Sequence, residues 1–506
     1  MKKEIKLGMV LSFISQVISI VVGLLYSPIM IRILDQSEYG LYQLVQSVVN
    51  YMNLMNFGLT GAYIRYYSIA KTKGEDEVAN INGLFMRVFC ILSMICLILG
   101  AILYTNIGLL GDKITAAEYG TARILLIIMV VNMAVSFPSS LFMVFINANE
   151  RFIFQKAVGI GINILVPILN IPLLLWGKGS VGVVSVTLFL SLLRMVINVW
   201  FCRKKLGMRI NIRYFDRKVF LDLFRFTFFI FLSDIVDQIG SNVDKFLLGR
   251  MIGTTAVAVF SVGFTFSTYF AITTWIVPEM FTPEVNRLAI EKNDNEALSK
   301  LFIRVGKMNN YIVLLPLTGF VLIGREFVTL WVGDKYDLSY YAGIILMWAG
   351  YIGALQTLGI DIQNAKNMHQ IRSVVLFFVA MINVVISIWF IRMWGIVGTC
   401  LGTLLASLTG SVFMNWYYKR HIGLDIFTFW KEMLKWTIPA LLYFVAAWFI
   451  TKQLQLQITT WGGVAAYAIV YAGLYCLLLW FVGFDKDQRG KVAAFVRSKL
   501  KRPQVQ

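Results

Sequence analysis

Residues 224–250 read FRFTFFIFLSDIVDQIGSNVDKFLLGR. The first nine are almost wholly apolar and aromatic, and the stretch is long enough to cross a membrane as one helix, which takes about 20 residues. Yet it carries Asp234, Asp237 and Asp244, with Gln238, Asn242 and Lys245 among them. A carboxylate at a bilayer centre costs at least about 2.5–3.5 kcal/mol. Such residues persist where they face a partner or a hydrated cavity, so the stretch reads as a membrane helix with one polar face.

The rest of the chain agrees. Of 506 residues, 58% are hydrophobic and 14% charged, and mean hydropathy is +0.73. A soluble surface needs about 25% charged residues, so this composition describes an all-α polytopic membrane protein. The net charge of +19 sits mostly in alternate loops and reads first as a topogenic excess of Lys and Arg. There is no basic soluble domain for nucleic acid. Five cysteines lie in or beside apolar segments without metal-ligand spacing, and two histidines make a metal site or triad improbable. Neither a phosphate-binding GxxxxGK[ST] nor a dinucleotide fingerprint occurs, so no cofactor, metal or enzymatic activity is expected.

Apolar runs predict about fourteen spans, at residues 8–32, 39–69, 80–104, 120–147, 154–176, 180–201, 220–247, 255–282, 300–323, 340–363, 371–393, 395–418, 433–451 and 462–483. WGKGS at 176–180 and MWGIVG at 393–398 leave space for little but a turn. The basic loops around Arg203–Lys205, around Lys419 and Arg420, and the tail from Lys486 to Arg502 fall on one side of an even count. DQSEYG (35–40) and GDKITAAE (111–118) fall on the other. Both termini are expected in the cytoplasm.

The chain also repeats itself. FMRV at 85–88 matches FIRV at 302–305, and NANE at 147–150 matches NAKN at 364–367, both 217 residues on. RILDQSEYGLY (32–42) matches RMIGTTAVAVF (250–260) at 218, and Gly207 matches Gly423 at 216. The offset equals about six helices, so the copies share one orientation, a parallel repeat. Expected are two six-helix lobes around a central cavity plus a C-terminal helix pair, divided as 1–216 with a basic linker, 217–421, and 422–506 with a basic tail.

Under that repeat Asp234 and Asp237 align with Gln16 and Ser19. Asp234, Asp237, Gln238 and Ser241 follow one helical face, and Asp244 and Lys245 continue it toward the outer mouth, where they can pair with each other. A second stripe runs through Gln43, Gln46, Asn50 and Asn53, and its repeat partner carries Ser261, Thr265 and Thr268. Two readings compete: interhelical hydrogen bonding, and the lining of a hydrated cavity. A continuous stripe reaching three carboxylates favours the cavity, with Asp234, Asp237 and Gln238 as ion-coupling candidates. Arg65, Arg87 and Arg304 lie near the expected cytoplasmic ends. They either snorkel to lipid phosphates or form a cationic mouth, where the planar guanidinium grips phosphate oxygens in pairs. The linker 202–220, CRKKLGMRINIRYFDRKVF, reads as an amphipathic surface segment attractive to anionic lipid.

RILDQSEYGLYQL near the start, GLTGAYIRYYS closing the second span, NANERF between the fourth and fifth, DKFLLGRMIGTTAVAVFSVGF after the seventh and TLWVGDKY before the tenth resemble the oligosaccharide flippases of bacterial polysaccharide export. These belong to the multidrug/oligosaccharidyl-lipid/polysaccharide exporter superfamily. The resemblance covers nearly the whole chain, although Leu34-Asp35 stands where the family often has Leu-Gly. It implies a monomeric inner-membrane protein that moves a polyprenyl-pyrophosphate-linked oligosaccharide to the outer leaflet by alternating access, alongside polysaccharide polymerase or glycosyltransferases. A murein-precursor flippase and a cation-coupled small-molecule antiporter stay open as alternatives. A membrane-embedded glycosyltransferase ranks low because the outer loops are short.

Overall fold

A computed structural model of the chain describes residues 2–56, 58–111, 113–214, 216, 222, 231, 234–236, 238–291, 294–366, 368–454, 458–484 and 489–490, with side chains from Ser15 except at 291 and 369. Among the described residues there are helices and no β-strand. Helices α1 (Lys2–Ile33), α2 (Gln36–Asn50), α3 (Leu59–Lys71), α4 (Glu75–Thr105), α5 (Ala116–Ala148), α6 (Phe152–Leu175) and α7 (Gly179–Lys204) come first. After a π turn at Ile239–Val243 follow α8 (Asp244–Met251), α9 (Thr254–Thr273), α10 (Pro278–Asn286), α11 (Asn295–Val332), α12 (Asp337–Leu355) and α13 (Thr357–Ala365). α14 (His369–Tyr417), α15 (Ile426–Gln453) and α16 (Trp461–Leu478) come last among these described helices.

Eleven described helices are long and apolar enough to cross a membrane. Their number differs from the expected fourteen for local reasons. α14 counts once, but Gly395, at φ 57 and ψ −129, breaks it into two spans. The second expected span, 39–69, is interrupted by a 3-10 stretch at Tyr51–Asn56 and by Gly58 at φ 64, so neither α2 nor α3 qualifies alone. The first half of the expected seventh span, 220–233 except 222 and 231, lies outside the described residues.

Element boundaries carry the repeat. Gln36 of α2 and Thr254 of α9 stand 218 apart, Leu59 of α3 and Pro278 of α10 219 apart, and Phe152 of α6 and His369 of α14 217 apart. The break between α2 and α3 recurs between α9 and α10.

The chain packs as two units, residues 1–261 with 373–399, and residues 262–372 with 400–506. In the first, α4 packs on α5, α5 on α7, and α1 on α6. Tyr63, fully buried, donates to Asn82 Oδ1 at 2.6 Å, and Asn82 Nδ2 donates to the Arg209 carbonyl at 2.9 Å. In the second unit the terminal pair docks on α11. Phe302 stacks on Phe429 at 4.5 Å, Tyr311 meets Trp436 edge-on at 5.2 Å, and Tyr475 donates to the Tyr311 carbonyl at 2.9 Å. Asp425 caps α15, accepting from the Thr428 N–H at 3.0 Å. Hydrogen bonds from the Thr428 side chain and backbone hold its carboxyl below the ordinary range.

Candidate functional site

The polar face of the quoted stretch meets the polar face of α2. Lys245 Nζ donates to Gln43 Oε1 at 3.4 Å, and Gln43 Nε2 donates to Tyr39 at 2.9 Å. Asn50 Nδ2 donates to Asn242 Oδ1 at 3.3 Å, Gln46 Nε2 donates to Asn50 Oδ1 at 2.8 Å, and Asn242 Nδ2 donates to Gln238 Oε1 at 2.8 Å. Asn242 and Asp244 are each only 3% exposed. The two stripes expected to line a cavity therefore hydrogen-bond to each other along this seam. The π turn at 239–243 inserts a wider helical turn where Asn242 reaches Asn50.

Small residues let the seam close. A Cβ on Gly40 would fall 1.8 Å from the Thr254 carbonyl oxygen, and one on Gly249 would fall 2.6 Å from Leu44 Cδ1. These contacts could not be read from spacing, because each joins residues about 200 positions apart.

The other expected site residues are dispersed. Gln16, Ser19, Asn53 and Thr268 are exposed, and Asn163 Nδ2 donates to Ser19 Oγ at 2.7 Å. Ser261 is buried and Thr265 half-buried, whereas Thr268 bonds back to the Phe264 carbonyl of its own helix at 3.0 Å. Asp234 is half-buried. Asp237 lies outside the described residues. Tyr39 and Tyr67 are 3% and 4% exposed and serve packing.

Of the three arginines, Arg65 and Arg87 belong to the first unit and Arg304 to the second. Arg65 and Arg304 are exposed, and Arg304 lies 5.8 Å from the Phe281 ring centroid. Arg87 Nη2 donates to the Ile212 carbonyl. The Asn211 N–H donates to the Ala79 carbonyl at 2.9 Å, and a Cβ on Gly83 would fall 1.8 Å from the Asn211 carbonyl oxygen. The linker around 209–212 is thus sewn to α4 as irregular backbone.

Three cavities among the described residues went unread in the sequence. A pocket of about 230 Å³ is lined by Tyr67, Lys71, Glu75, Asn82, Asn149 and Arg209 among others. It joins the GLTGAYIRYYS and NANERF motifs to the linker, and Tyr67 donates to Asn149 Oδ1 at 2.8 Å. Two cations against one carboxylate suit a small anion. In the second unit an apolar cleft of about 630 Å³ runs between α15 and α16, lined by Tyr443, Ala447, Ile450, Leu454, Ala466, Tyr467 and Val470 among others. Ile450, Leu454 and Val470 are 55%, 63% and 61% exposed, so its rim faces outward. Beside it, sharing Ile458 and Thr459, a pocket of about 620 Å³ holds Arg325, Glu326, Asp334 and Asp337. Arg325 grips Asp337 through Nε at 2.6 Å and Nη2 at 3.1 Å. Among the described residues no cluster of His, Cys, Asp and Glu could hold a metal.

Residues 6–277 match the family described as "Polysaccharide biosynthesis protein". The chain is 21% identical over 502 residues to "Uncharacterized membrane protein EpsK" of Bacillus subtilis (strain 168), covering 93% of this chain and 94% of the relative. It is 17% identical over 406 residues to the "Putative O-antigen transporter" of Shigella flexneri, covering 77% and 91%. Its fold is similar to that of the lipid II flippase MurJ in an inward closed conformation, with TM-score 0.73, 15% identity and coverage of 94% and 98%. It is also similar in fold to the MATE multidrug transporter DinF-BH, with TM-score 0.60, 15% identity and coverage of 83% and 97%.

Proposed function

The chain belongs to the polysaccharide biosynthesis protein family, and from that premise we propose that it flips a polyprenyl-pyrophosphate-linked oligosaccharide from the inner to the outer leaflet by alternating access, for export of a cell-surface polysaccharide. The observation that carries this reading is the apolar cleft between α15 and α16. Its aliphatic and aromatic lining and exposed rim suit a long prenyl chain that stays in contact with lipid while the head group crosses. The chain is already in hydrocarbon, so the groove holds it by shape and packing rather than by removing apolar area from water.

In this reading the repeat forms two six-helix lobes, 1–216 and 217–421, with 422–506 as the appended pair and tail. Arg65, Arg87 and Arg304 draw the pyrophosphate toward the cytoplasmic opening, joined by Lys71 and Arg209 of the anion-sized pocket. Asp234 and Asp237 bind the coupling proton or cation. The protein works as a monomer in the bacterial plasma membrane, with both termini cytoplasmic, among anionic lipids and beside polymerase or glycosyltransferases.

The test is translocation in proteoliposomes, with a labelled polyprenyl-pyrophosphate oligosaccharide and, separately, a murein-precursor lipid. The oligosaccharide lipid is expected to cross, and Ala466→Trp, which fills the cleft, to slow it about tenfold or more. Asp234→Asn with Asp237→Asn is expected to abolish the response to an imposed proton or cation gradient. Transport of neither lipid, with or without a gradient, sinks the flippase reading. Transport of the murein precursor alone assigns the other cargo.

A further inference from the structure

The first turns of α2, α5 and α9 meet at one carboxylate. Glu118 stands three residues into α5, whose N-cap Thr115 accepts from the Glu118 N–H at 3.4 Å. Glu118 Oε2 accepts in return from the Thr115 N–H and from Thr115 Oγ1, both at 2.7 Å. That reciprocal pair is a capping box, and TAAE at 115–118 is its sequence signature. The other oxygen serves different helices. Glu118 Oε1 accepts from Ser37 Oγ of α2, and from Thr254 Oγ1 of α9 at 2.7 Å. The Ser37 and Thr254 oxygens are 3.2 Å apart.

A hydroxyl has one proton to give. With both protons directed at Glu118, neither hydroxyl holds the other, and the α2–α9 junction at this end depends on the carboxylate between them. α2 and α9 are the repeat-related helices, so Glu118 bridges the two copies of the repeat. It stands at the end of the seam that runs through Gly40 against Thr254, Lys245 against Gln43, and Asn242 against Asn50. A cap alone uses one oxygen; the second has been recruited for a contact between helices.

Resting on the flippase reading, we infer that Glu118 is a positioning residue for transport: it latches the first turns of α2 and α9 together, and this latch breaks and re-forms once in each cycle. These ends are expected on the outer side, in the loops DQSEYG and GDKITAAE. A sugar-bearing head group cannot pass a seam in which helix backbones touch at Gly40, so release to the outer leaflet requires the junction to part. A carboxylate accepting hydroxyl protons suits such a latch, because charge-assisted bonds are strong in place and readily exchanged for water once the seam opens.

The experiment uses the full chain without its five native cysteines, in proteoliposomes. Ser37→Cys with Thr254→Cys places two thiols within reach of a disulfide, whose Cβ atoms lie about 3.5–4.5 Å apart. Oxidation is expected to form the bond and stop flipping of the labelled oligosaccharide lipid, and reductant to restore it. In a second arm Gln43→Cys reports seam opening by its rate of labelling with a membrane-impermeant maleimide. Glu118→Ala is expected to raise that rate about tenfold, the scale of one charge-assisted bond lost, and Glu118→Gln to restore part of it. Thr115→Ala removes the cap hydroxyl and leaves the Ser37 and Thr254 bonds; its labelling rate is expected to match the parent. Unchanged labelling in Glu118→Ala, an equal rise in Thr115→Ala, or full transport by the oxidised double cysteine each overturns the latch. The labelling arm needs no substrate, so a parent protein that moves no lipid sinks the flippase reading while the latch is still decided.

Discussion

At Gly40 one hydrogen atom decides whether two helices can touch. A methyl there would sit 1.8 Å from the Thr254 carbonyl oxygen, which is backbone and cannot swing aside. Gly61 in α3 has nothing within 4 Å of the same position. Gly40→Ala is therefore expected to destabilise by about 1–3 kcal/mol, the usual range for overpacking. Gly61→Ala is expected to stabilise by about 0.5–1 kcal/mol, because alanine loses less backbone entropy in a helix. Thermal unfolding in detergent should place Gly40→Ala below the parent and Gly61→Ala at or above it; equal shifts would refute the backbone contact. Gly40 was visible in the sequence only as part of RILDQSEYGLYQL. Its reason was not, because the partner lies 214 residues away, at Thr254, and no local pattern reports it. Glu118 differs: its cap was readable from TAAE, while the bonds to Ser37 and Thr254 needed the fold.

Among the elements, the π turn at Ile239–Val243 sets which side chains of the following α8 face α2. Each residue in an α-helix advances about 100°. Deleting Ser241 converts the wide turn to an ordinary one and rotates Asn242, Asp244 and Lys245 out of register with residues on one side of the deletion. The expected result is loss of transport together with loss of an engineered Asn50→Cys, Asn242→Cys disulfide that forms at native length. A disulfide that persists in the deletion variant would show that the register does not depend on the π turn. Spans and turns were the most legible part of the fold. WGKGS and MWGIVG announced breaks because glycine alone readily takes positive φ, as at Gly177 (φ 72), Gly179 (φ 55) and Gly395 (φ 57). Gly58 takes φ 64 as well, but its direct neighbours Phe57 and Leu59 are apolar, and Asn53 before it reads as part of the polar stripe rather than as a turn signal. The break in the second span was missed for that reason. The polar stripes were legible as stripes, since period 3.6 is a local property; that they bond to each other across α2 is a property of packing.

For the whole molecule, repeat and charge make one joint demand. Arg203, Lys204 and Lys205 are exposed at the end of α7, and Lys419 and Arg420 are exposed at the repeat-equivalent end of α14. An offset of six spans returns the chain to the same side, so both clusters must face one compartment; an odd offset would separate them. Carrying charge across the membrane potential takes about 2.3 kcal/mol per charge at 100 mV, hence about 7 kcal/mol for the first cluster alone. That penalty is why the shared compartment is expected to be the cytoplasm. Single cysteines replacing Lys205 and Arg420, in a background without the native cysteines, are expected to react with an impermeant maleimide only after permeabilisation. Cysteines at Asn106 and Asp334, both exposed at opposite helix ends, are expected to react in intact cells. Labelling of Lys205→Cys and Arg420→Cys on different sides would break the parallel repeat, because no even number of spans separates two compartments. Labelling of both from outside would keep the repeat and reverse the orientation, and with it the direction in which the cationic mouth and the Glu118 latch face.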